Sequence, residues 1–92
     1  MLQNQVKVGI FGGAGYAGQD LVEILVRHPH VEIVFATSNT SAGEPVPGTG
    51  LHYIQHEQAD YTAVDAVFLA LPHTASAPVA AQALAAGVRV ID

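Results

Sequence analysis

Cysteine is absent from the 92-residue chain, and lysine and arginine together number only three. Without a thiol the chain has no disulfide, no thiolate metal site and no cysteine nucleophile. The formal net charge is −5 at pH 7. So acidic a chain is a poor partner for nucleic acid or for an acidic membrane surface, and we expect neither partner.

Long hydrophobic runs are missing as well. The longest, Ala66–Pro72, is far shorter than the roughly 20 residues that a membrane helix needs. The polar start, Met1–Gln5, does not resemble a signal peptide, so we expect a cytoplasmic protein. Half of the residues are hydrophobic, which argues against disorder and suits one small domain.

The first half of the chain shows a strand, a helix and a second strand. Val6–Phe11 is a β-branched run that ends in glycines, as a buried parallel strand does. Pro29 predicts the end of the following helix, and Val31–Ala36 is typical of a strand. Glu23 and Arg27 are spaced for an ion pair on the outer face of the helix. Its inner face is an apolar stripe at helical spacing, formed by Gly18, Leu21, Val22 and Leu25.

The second half begins with a polar segment, Thr37–Gly50, which predicts a long loop. Weak signals favour a short strand at His52–Ile54, and stronger ones favour a buried strand at Ala66–Leu71. An alanine-rich helix is expected over Ala75–Ala86, followed by a strand at Val88–Asp92. For this helix we expect Thr74 or Ser76 as the N-cap, Gly87 as the residue after the C-cap, and a packing face of Ala80, Ala83 and Leu84.

Strands that alternate with helices predict a parallel sheet with right-handed crossovers. The expected fold is therefore α/β, a Rossmann-type three-layer fold with a mostly parallel sheet of about four to five strands. No internal boundary is visible, so residues 1–92 are expected to form one NAD(P)-binding domain.

The glycine-rich turn at residues 12–18 carries the functional prediction. It contains G-x-x-G-x-x-G, and also G-x-G-x-x-G from Gly13, and it lies directly between a strand and a helix. A pyrophosphate must approach bare backbone at a helix N-terminus. We expect Gly12 and Gly13 to allow the tight turn, Gly15 to let the phosphates approach, and Gly18 to let the helix close on the sheet.

The three basic residues are predicted to lie away from this turn. Lys7 starts the first strand, Arg27 ends the first helix, and Arg89 starts the last strand. A ligand of a parallel sheet sits at the opposite rim, beyond the carboxyl ends of the strands. Backbone amides and hydroxyls must therefore bind the phosphates.

The residues after the second strand bear on the cofactor. Proteins selective for NAD carry Asp or Glu there to bind the ribose 2′-hydroxyl, whereas residues 37–41 are Thr, Ser, Asn, Thr and Ser. Without a carboxylate nothing repels a 2′-phosphate, so NADP is favoured over NAD. The alternative is an ordinary polar loop.

With these motifs in place, the chain resembles the amino-terminal part of the N-acetyl-γ-glutamyl-phosphate reductases, within the wider aspartate-semialdehyde dehydrogenase superfamily. The resemblance covers nearly the whole chain. It rests on the first strand at residues 8–10 and on the glycine turn at residues 12–18, which includes Tyr16. It also rests on the segments at residues 27–29, 31–32, 37–38, 42–43, 67–73, 86–88 and 90–92.

The resemblance implies an enzyme that reduces an acyl phosphate to a semialdehyde with NADPH, through a thioester on a cysteine, in arginine biosynthesis. It implies that Gly12, Gly15, Tyr16, Ala17 and Gly18 wrap the pyrophosphate, and we expect Gly13 and Ala14 of the same turn to bind it with them. Ser38, Asn39 and Ser41 would meet the adenosine ribose and its 2′-phosphate. Leu71, Pro72 and His73 would line the nicotinamide side.

The sequence departs from the family pattern at three positions. Gly13 replaces a small alanine, Asn39 stands where a basic residue is common, and Thr74 stands where glycine is common. The family's catalytic cysteine, acid/base histidine and substrate domain are expected beyond residue 92. We therefore expect no catalytic residue in this chain. We expect the chain to be a fragment of a longer enzyme, and that enzyme to form homo-oligomers.

Several residues invite other interpretations. His28 with His30, and His52 with His56, could suggest a metal site, but we expect none and interpret them as exposed loop histidines. His73 favours cofactor contact over catalysis, and Ser76 has no triad partners in the sequence. Tyr16 could contact phosphate or could pack against the protein.

Three alternatives to the arginine-pathway reductase remain open. The related lysine-pathway reductase acts on a carrier-linked aminoadipyl phosphate. A stand-alone dinucleotide-binding module could act without catalysis. A structural Rossmann-like domain could assemble through the edge of its last strand, Val88–Asp92.

Overall fold

The structure is a computed structural model that describes residues 5–91, except for the side chain of His73. The expectations for Met1–Asn4, for Asp92 and for the His73 side chain therefore lie outside the described residues. Two short 3-10 turns, His56–Gln58 and Tyr61–Ala63, precede the third strand. The main elements are β1 (Val6–Phe11), α1 (Tyr16–Val26), β2 (Val31–Thr37), β3 (Ala66–Leu69), α2 (His73–Ala85) and β4 (Arg89–Ile91).

The four strands form one parallel sheet in the order β2-β1-β3-β4, which confirms the predicted α/β class. The chain leaves β1 through α1 to reach β2 on one side, and β3 then pairs with β1 on the other side. The connections after β1 and after β3 therefore lead away from each other. In such sheets the crevice at this switch of direction is the usual ligand site.

The core is divided between the two faces of the sheet. Neighbouring residues of a strand point to opposite faces, and Ile10 and Phe11, both fully buried, belong to separate hydrophobic clusters. Ile10 lies with Val22 and Leu25 of α1, whereas Phe11 lies with Ala83 of α2. One helix thus covers each face, as a three-layer fold requires.

A local irregularity brings β2 close to β1. The pairing shifts between Val8 and Gly9, so that Val8 faces Ile33 while Gly9 faces Phe35. A side chain at Gly9 would collide with the Phe35 ring. The ring fills the space that the glycine leaves and makes an edge contact with Phe11, with the ring centres 5.4 Å apart.

Three strand predictions need correction. The third strand ends at Leu69 rather than Leu71, and the last strand, Arg89–Ile91, begins one residue later than the predicted start at Val88. His52–Ile54 is not a strand. It forms two isolated bridges, Ile54 with Thr37 and His52 with Pro45, because its two ends pair with different segments.

The second helix differs from expectation at its start and on its face. It begins at His73 with Pro72 as the N-cap residue, so neither Thr74 nor Ser76 is the cap. The Ser76 hydroxyl instead donates to the carbonyls of Leu71 and Pro72, both at 3.3 Å. The face of α2 that packs against the sheet is formed by Ser76, Val79, Ala80 and Ala83.

Leu84 was wrongly predicted to pack in the core. The contact stripe of α2 is narrow, and Leu84 lies at its edge with 65% of its surface exposed. It borders a hollow at the amino rim of the sheet together with Val6 and Ile91. The prediction for Gly87 is confirmed: its φ of 77° is left-handed, and Val88 N donates to Ala83 O at 2.9 Å.

Over residues 5–91, no helix has the length and apolar character needed to cross a membrane.

Candidate functional site

A cleft of about 350 Å³ opens at the carboxyl rim of the sheet. It lies where the connections after β1 and β3 diverge, which is the expected ligand position of this topology. Its wall is formed by the glycine turn, the loop after β2 and the loop after β3. The lining residues are Gly12, Ala14, Gly15, Ser38, Asn39, Thr40, Ser41, His56, Ala70, Leu71 and Pro72.

Other hollows are larger but less suited to an anionic ligand. One of about 470 Å³ runs along α1 and is lined by Asp20, Glu23 and Arg27; Arg27 is paired with Glu23, which leaves the Asp20 carboxylate to repel phosphate. Another of about 810 Å³ lies at the amino rim, around Leu84 and Arg89. Neither lies at the ends of the strands from which the glycine turn projects.

The cleft unites most of the residues predicted for cofactor binding. Gly13 and Gly18 are buried behind its surface. Tyr16 is 95% exposed, so the suggestion that it packs against the protein is wrong. Ala17 is exposed in the first turn of α1. The backbone of His73 begins α2, close to Pro72 in the cleft wall.

The end of β2 holds the start of the glycine turn. Thr37 is fully buried, and its carbonyl oxygen accepts hydrogen bonds from Gly12 N at 3.2 Å and Gly13 N at 2.9 Å. Its hydroxyl accepts from Gly12 N as well, at 3.3 Å. These two amides are therefore already bonded, and the anion-binding amides must come from later in the turn.

The first turn of α1 supplies such amides. Gly15 is the N-cap residue and has no side chain to bond them. Among the described residues, no acceptor is found for the amides of Tyr16, Ala17 and Gly18. The first turn of α1 also lacks an acidic residue. Free amides and the helix dipole together make this end of α1 attractive to an anion.

The reason why glycine is required or tolerated differs from one position of the turn to the next. Gly12 has a left-handed φ of 88°, and a Cβ there would lie 2.7 Å from the Ala70 carbonyl oxygen. A Cβ on Gly18 would collide with Gly12 O, so this glycine serves the approach of helix to turn rather than helix to sheet. At Gly15 the nearest atom to a Cβ is 3.9 Å away, and the surface there is open.

Gly13 serves packing rather than a special backbone angle. Its φ is not positive, and a Cβ would lie 3.1 Å from the Tyr53 ring. The Tyr53 hydroxyl donates to Gly13 O at 3.0 Å. Burial and the nearby Glu44 carboxylate raise the pKa of Tyr53, so the phenol remains a donor at neutral pH. Tyr53 thus holds the turn in place from its buried side, through its ring and its hydrogen bond to Gly13.

The loop after β2 offers neutral polar groups to the cleft. The buried Ser38 hydroxyl accepts from Ser41 N at 3.1 Å and lies 3.3 Å from the Thr40 hydroxyl. Ser38 N donates to Ile54 O at 2.8 Å, which anchors the loop. No carboxylate is among the described side chains that line the cleft, and a phosphate would meet no repulsion there.

His56 is a cleft residue that the sequence did not predict. Its Nδ1 lies 2.6 Å from the Thr37 hydroxyl, and its amide donates to Asn39 Oδ1 at 2.9 Å. The interpretation of His56 as an exposed loop histidine is therefore wrong, whereas His28, His30 and His52 are exposed. No local sequence pattern predicts these contacts, because the two residues that bond His56 lie 17 and 19 positions earlier in the chain.

The basic residues lie where the sequence predicted. Lys7 is near the start of β1, Arg27 is the C-cap residue of α1 and Arg89 opens β4, all at the amino rim. Arg27 lies 3.4 Å from Glu23, which confirms the predicted pair. Among the side chains that the structure describes, which exclude that of His73, no group of three or more metal-ligating residues is found.

Comparison with known proteins gives a consistent result. The family model described as semialdehyde dehydrogenase, NAD binding domain, matches residues 7–92. N-acetyl-gamma-glutamyl-phosphate reductase of Bordetella pertussis is 42% identical over 97% of this chain. A putative LysW-L-2-aminoadipate/LysW-L-glutamate phosphate reductase of Aeropyrum pernix is 43% identical over 95% of it. The chain spans 27% of the length of each of these two relatives.

A solved structure shares the fold. Aspartate semialdehyde dehydrogenase II of Vibrio cholerae, complexed with ASA, superposes with a TM-score of 0.86 at 31% identity. The match covers 98% of this chain and 28% of that one. The sheet order and the glycine turn described above therefore belong to a known arrangement.

Proposed function

This chain belongs to the family of semialdehyde dehydrogenase NAD-binding domains, and on that basis we propose that it is the NADP-binding domain of an N-acetyl-γ-glutamyl-phosphate reductase. The reductase converts an acyl phosphate to a semialdehyde. One observation carries the choice of cofactor: the cleft runs from Gly15, the N-cap residue directly before the free amides of α1, to a loop after β2 without a carboxylate. Such a cleft accepts a pyrophosphate at one end and a 2′-phosphate at the other.

The residues of the cleft fit this cofactor. Amides in the first turn of α1 bind the pyrophosphate, and the open surface over Gly15 lets it approach. Ser38, Asn39 and Ser41 face the adenosine ribose, while Leu71 and Pro72, with His73 beside them, lie toward the nicotinamide. NADPH, when bound, supplies a hydride.

The rest of the reaction belongs to other residues of the reductase. A thioester step needs a cysteine, and residues 1–92 contain none. In this proposal the chain binds and orients the cofactor, and the groups that attack the acyl phosphate and transfer protons lie outside it. Assembly of the reductase into homo-oligomers is part of the same proposal.

Cofactor binding is tested by titrating the chain with NADPH and with NADH. An increase in the fluorescence of the reduced nicotinamide reports binding. We expect saturable binding of both, tighter for NADPH, with a matching rise in melting temperature. Equal affinities would contradict the NADP preference, and no binding of either would overturn the proposal.

A second candidate function is favoured by the Aeropyrum pernix relative, which is as similar as the Bordetella pertussis one. In this alternative the reductase acts on an aminoadipyl or glutamyl phosphate linked to a carrier protein. The two are separated by assaying the reductase with free N-acetyl-γ-glutamyl phosphate and with a carrier-linked acyl phosphate. Turnover of the carrier-linked substrate alone would replace the first candidate with the second.

A further inference from the structure

The backbone amides of the cleft can balance only part of the negative charge that the phosphates of NADP carry. NADP adds a 2′-phosphate to the two charges of its pyrophosphate, and phosphate sites usually provide Arg or Lys. The three basic residues of the chain all lie at the amino rim. Of the described side chains that line the cleft, only His56 can carry a positive charge.

We propose that His56, in its protonated form, contacts the 2′-phosphate of NADP and is the residue that discriminates NADP from NAD. This inference rests on the proposed function and adds a recognition element that the glycine turn does not contain. The loop after β2 adjoins the adenosine ribose in folds of this topology. His56 is joined to that loop by its amide, which donates to Asn39 Oδ1 at 2.9 Å.

The imidazole is fixed on one side and available on the other. Nδ1 lies 2.6 Å from the hydroxyl of Thr37, a fully buried residue that also holds the Gly12 amide. The ring lies 6.1 Å from the Phe11 ring, centre to centre. No partner for Nε2 is found among the described residues, so this nitrogen remains for a ligand of the cleft.

The Thr37 contact tolerates either protonation state. A hydroxyl can donate to a neutral Nδ1 or accept from a protonated one. His56 can therefore gain a proton without breaking the bond that positions it. A phosphate placed beside an imidazole favours the protonated ring over the neutral one, so the 2′-phosphate would itself stabilise the charge that it contacts.

The other charged or titratable groups near His56 do not supply the same function. Phe11 and Thr37, which lie against the ring, and Asn39, which accepts from the His56 amide, carry no charge. Glu57 follows in the same 3-10 turn and is exposed, and Asp60 caps the next turn, where its carboxylate binds Thr62. Burial raises the pKa of Tyr61, which stacks on Phe11 and stays neutral.

The test measures the affinity of the chain for NADP⁺ and NAD⁺ by calorimetry across neutral pH, because both oxidised forms survive mild acid. The protonated ring binds the 2′-phosphate, so affinity for NADP⁺ is expected to fall about fivefold or more from about pH 6.5 to about pH 8.5. Affinity for NAD⁺ is expected to stay nearly constant.

Two substitutions separate His56 from the titration of the phosphate itself. His56→Asn places an amide near Thr37 but removes the outer ring nitrogen and its charge. It should weaken NADP⁺ binding at pH 6.5 to about the value that the parent shows at pH 8.5, and weaken NAD⁺ binding much less. The matched control is His52→Asn, an exposed histidine outside the cleft, which should bind both dinucleotides like the parent.

Nuclear magnetic resonance of the unmodified chain gives a result that does not depend on a variant's folding. With the histidine rings assigned through the backbone, NADP⁺ should move the titration of His56 to higher pH, and NAD⁺ should not. An unmoved His56, or a His56→Asn variant with the parent's affinity and pH profile for NADP⁺, would overturn this inference and leave the proposed function intact. Failure of both dinucleotides to bind would overturn both.

Discussion

The carbonyl oxygen of Gly12 occupies the space in which a side chain on Gly18 would begin. The contact is between two stretches of backbone, so neither can give way without changing the turn or the first turn of α1. This close approach determines where the free amides of the helix point.

Replacing Gly18 with alanine should therefore destabilise the fold. The collision is expected to lower the free energy of unfolding by about 2–3 kcal/mol, even though alanine favours helix by about 1 kcal/mol. Urea denaturation measures the change. Gly50→Ala is the control, since a Cβ there meets nothing within 4 Å and its stability should match the parent's. A Gly18→Ala chain as stable as Gly50→Ala would contradict the structure.

Replacing Gly15 with alanine should have the opposite pattern. Its φ is −75° and the nearest atom to a Cβ is 3.9 Å away, so the fold should keep its stability. The added methyl group lies on the surface that the pyrophosphate approaches. NADPH affinity should fall about tenfold or more, the effect of an overpacked contact of about 1–3 kcal/mol. Parent-like affinity in a fluorescence titration would show that the phosphates bind elsewhere.

Thr37→Val removes the hydroxyl that joins Gly12 to His56 while keeping the side chain's shape. Because Thr37 is fully buried, we expect a loss of about 1–2 kcal/mol in the free energy of unfolding, together with weaker NADPH binding. Thermal and urea denaturation measure the first, and titration measures the second. Thr74→Val, at an exposed site where no side-chain hydrogen bond is found among the described residues, should change stability by less than about 0.5 kcal/mol. Equal effects of the two substitutions would refute a special role for Thr37.

Stability should decline at alkaline pH. Burial raises the pKa of both Tyr53 and Tyr61, and the Glu44 carboxylate adds to the effect at Tyr53. The unfolded chain loses these protons first, near pH 10, so stability is complete below about pH 10 and falls as pH rises through the raised pKa values. Urea denaturation at several pH values measures the decline. Tyr53→Phe and Tyr61→Phe should each flatten it; an unchanged slope in both would disprove the assignment.

The sequence was sufficient for features that depend on neighbouring residues. A β-branched run, closely spaced glycines and an apolar stripe at helical spacing predicted β1, the turn and α1. The left-handed angle at Gly87 followed from its place after an alanine-rich helix. The position of Lys7 at the rim away from the cleft followed from its place in a parallel strand. Each depends on local chemistry within a few residues.

Features that depend on contacts between distant segments were not predictable in this way. In the sequence Thr37 looks like the first residue of an ordinary polar loop, and only the folded chain shows that it bonds both Gly12 and His56. Leu84 satisfied the helical period but missed the packed stripe, because the orientation of α2 is decided by the sheet face beneath it. Ile54 has the residue type of a strand but finds a partner at only one position.

The hydrogen bonds that the Gly12 and Gly13 amides donate to Thr37 have a thermodynamic consequence. They give the turn its shape through the protein's own backbone, before any phosphate arrives. Ligands that must order a loop lose part of their binding energy to that ordering, whereas a preorganised loop avoids the loss. Dinucleotide binding here should accordingly carry little cost in conformational entropy, and affinity should depend on how well the amides and the ligand match.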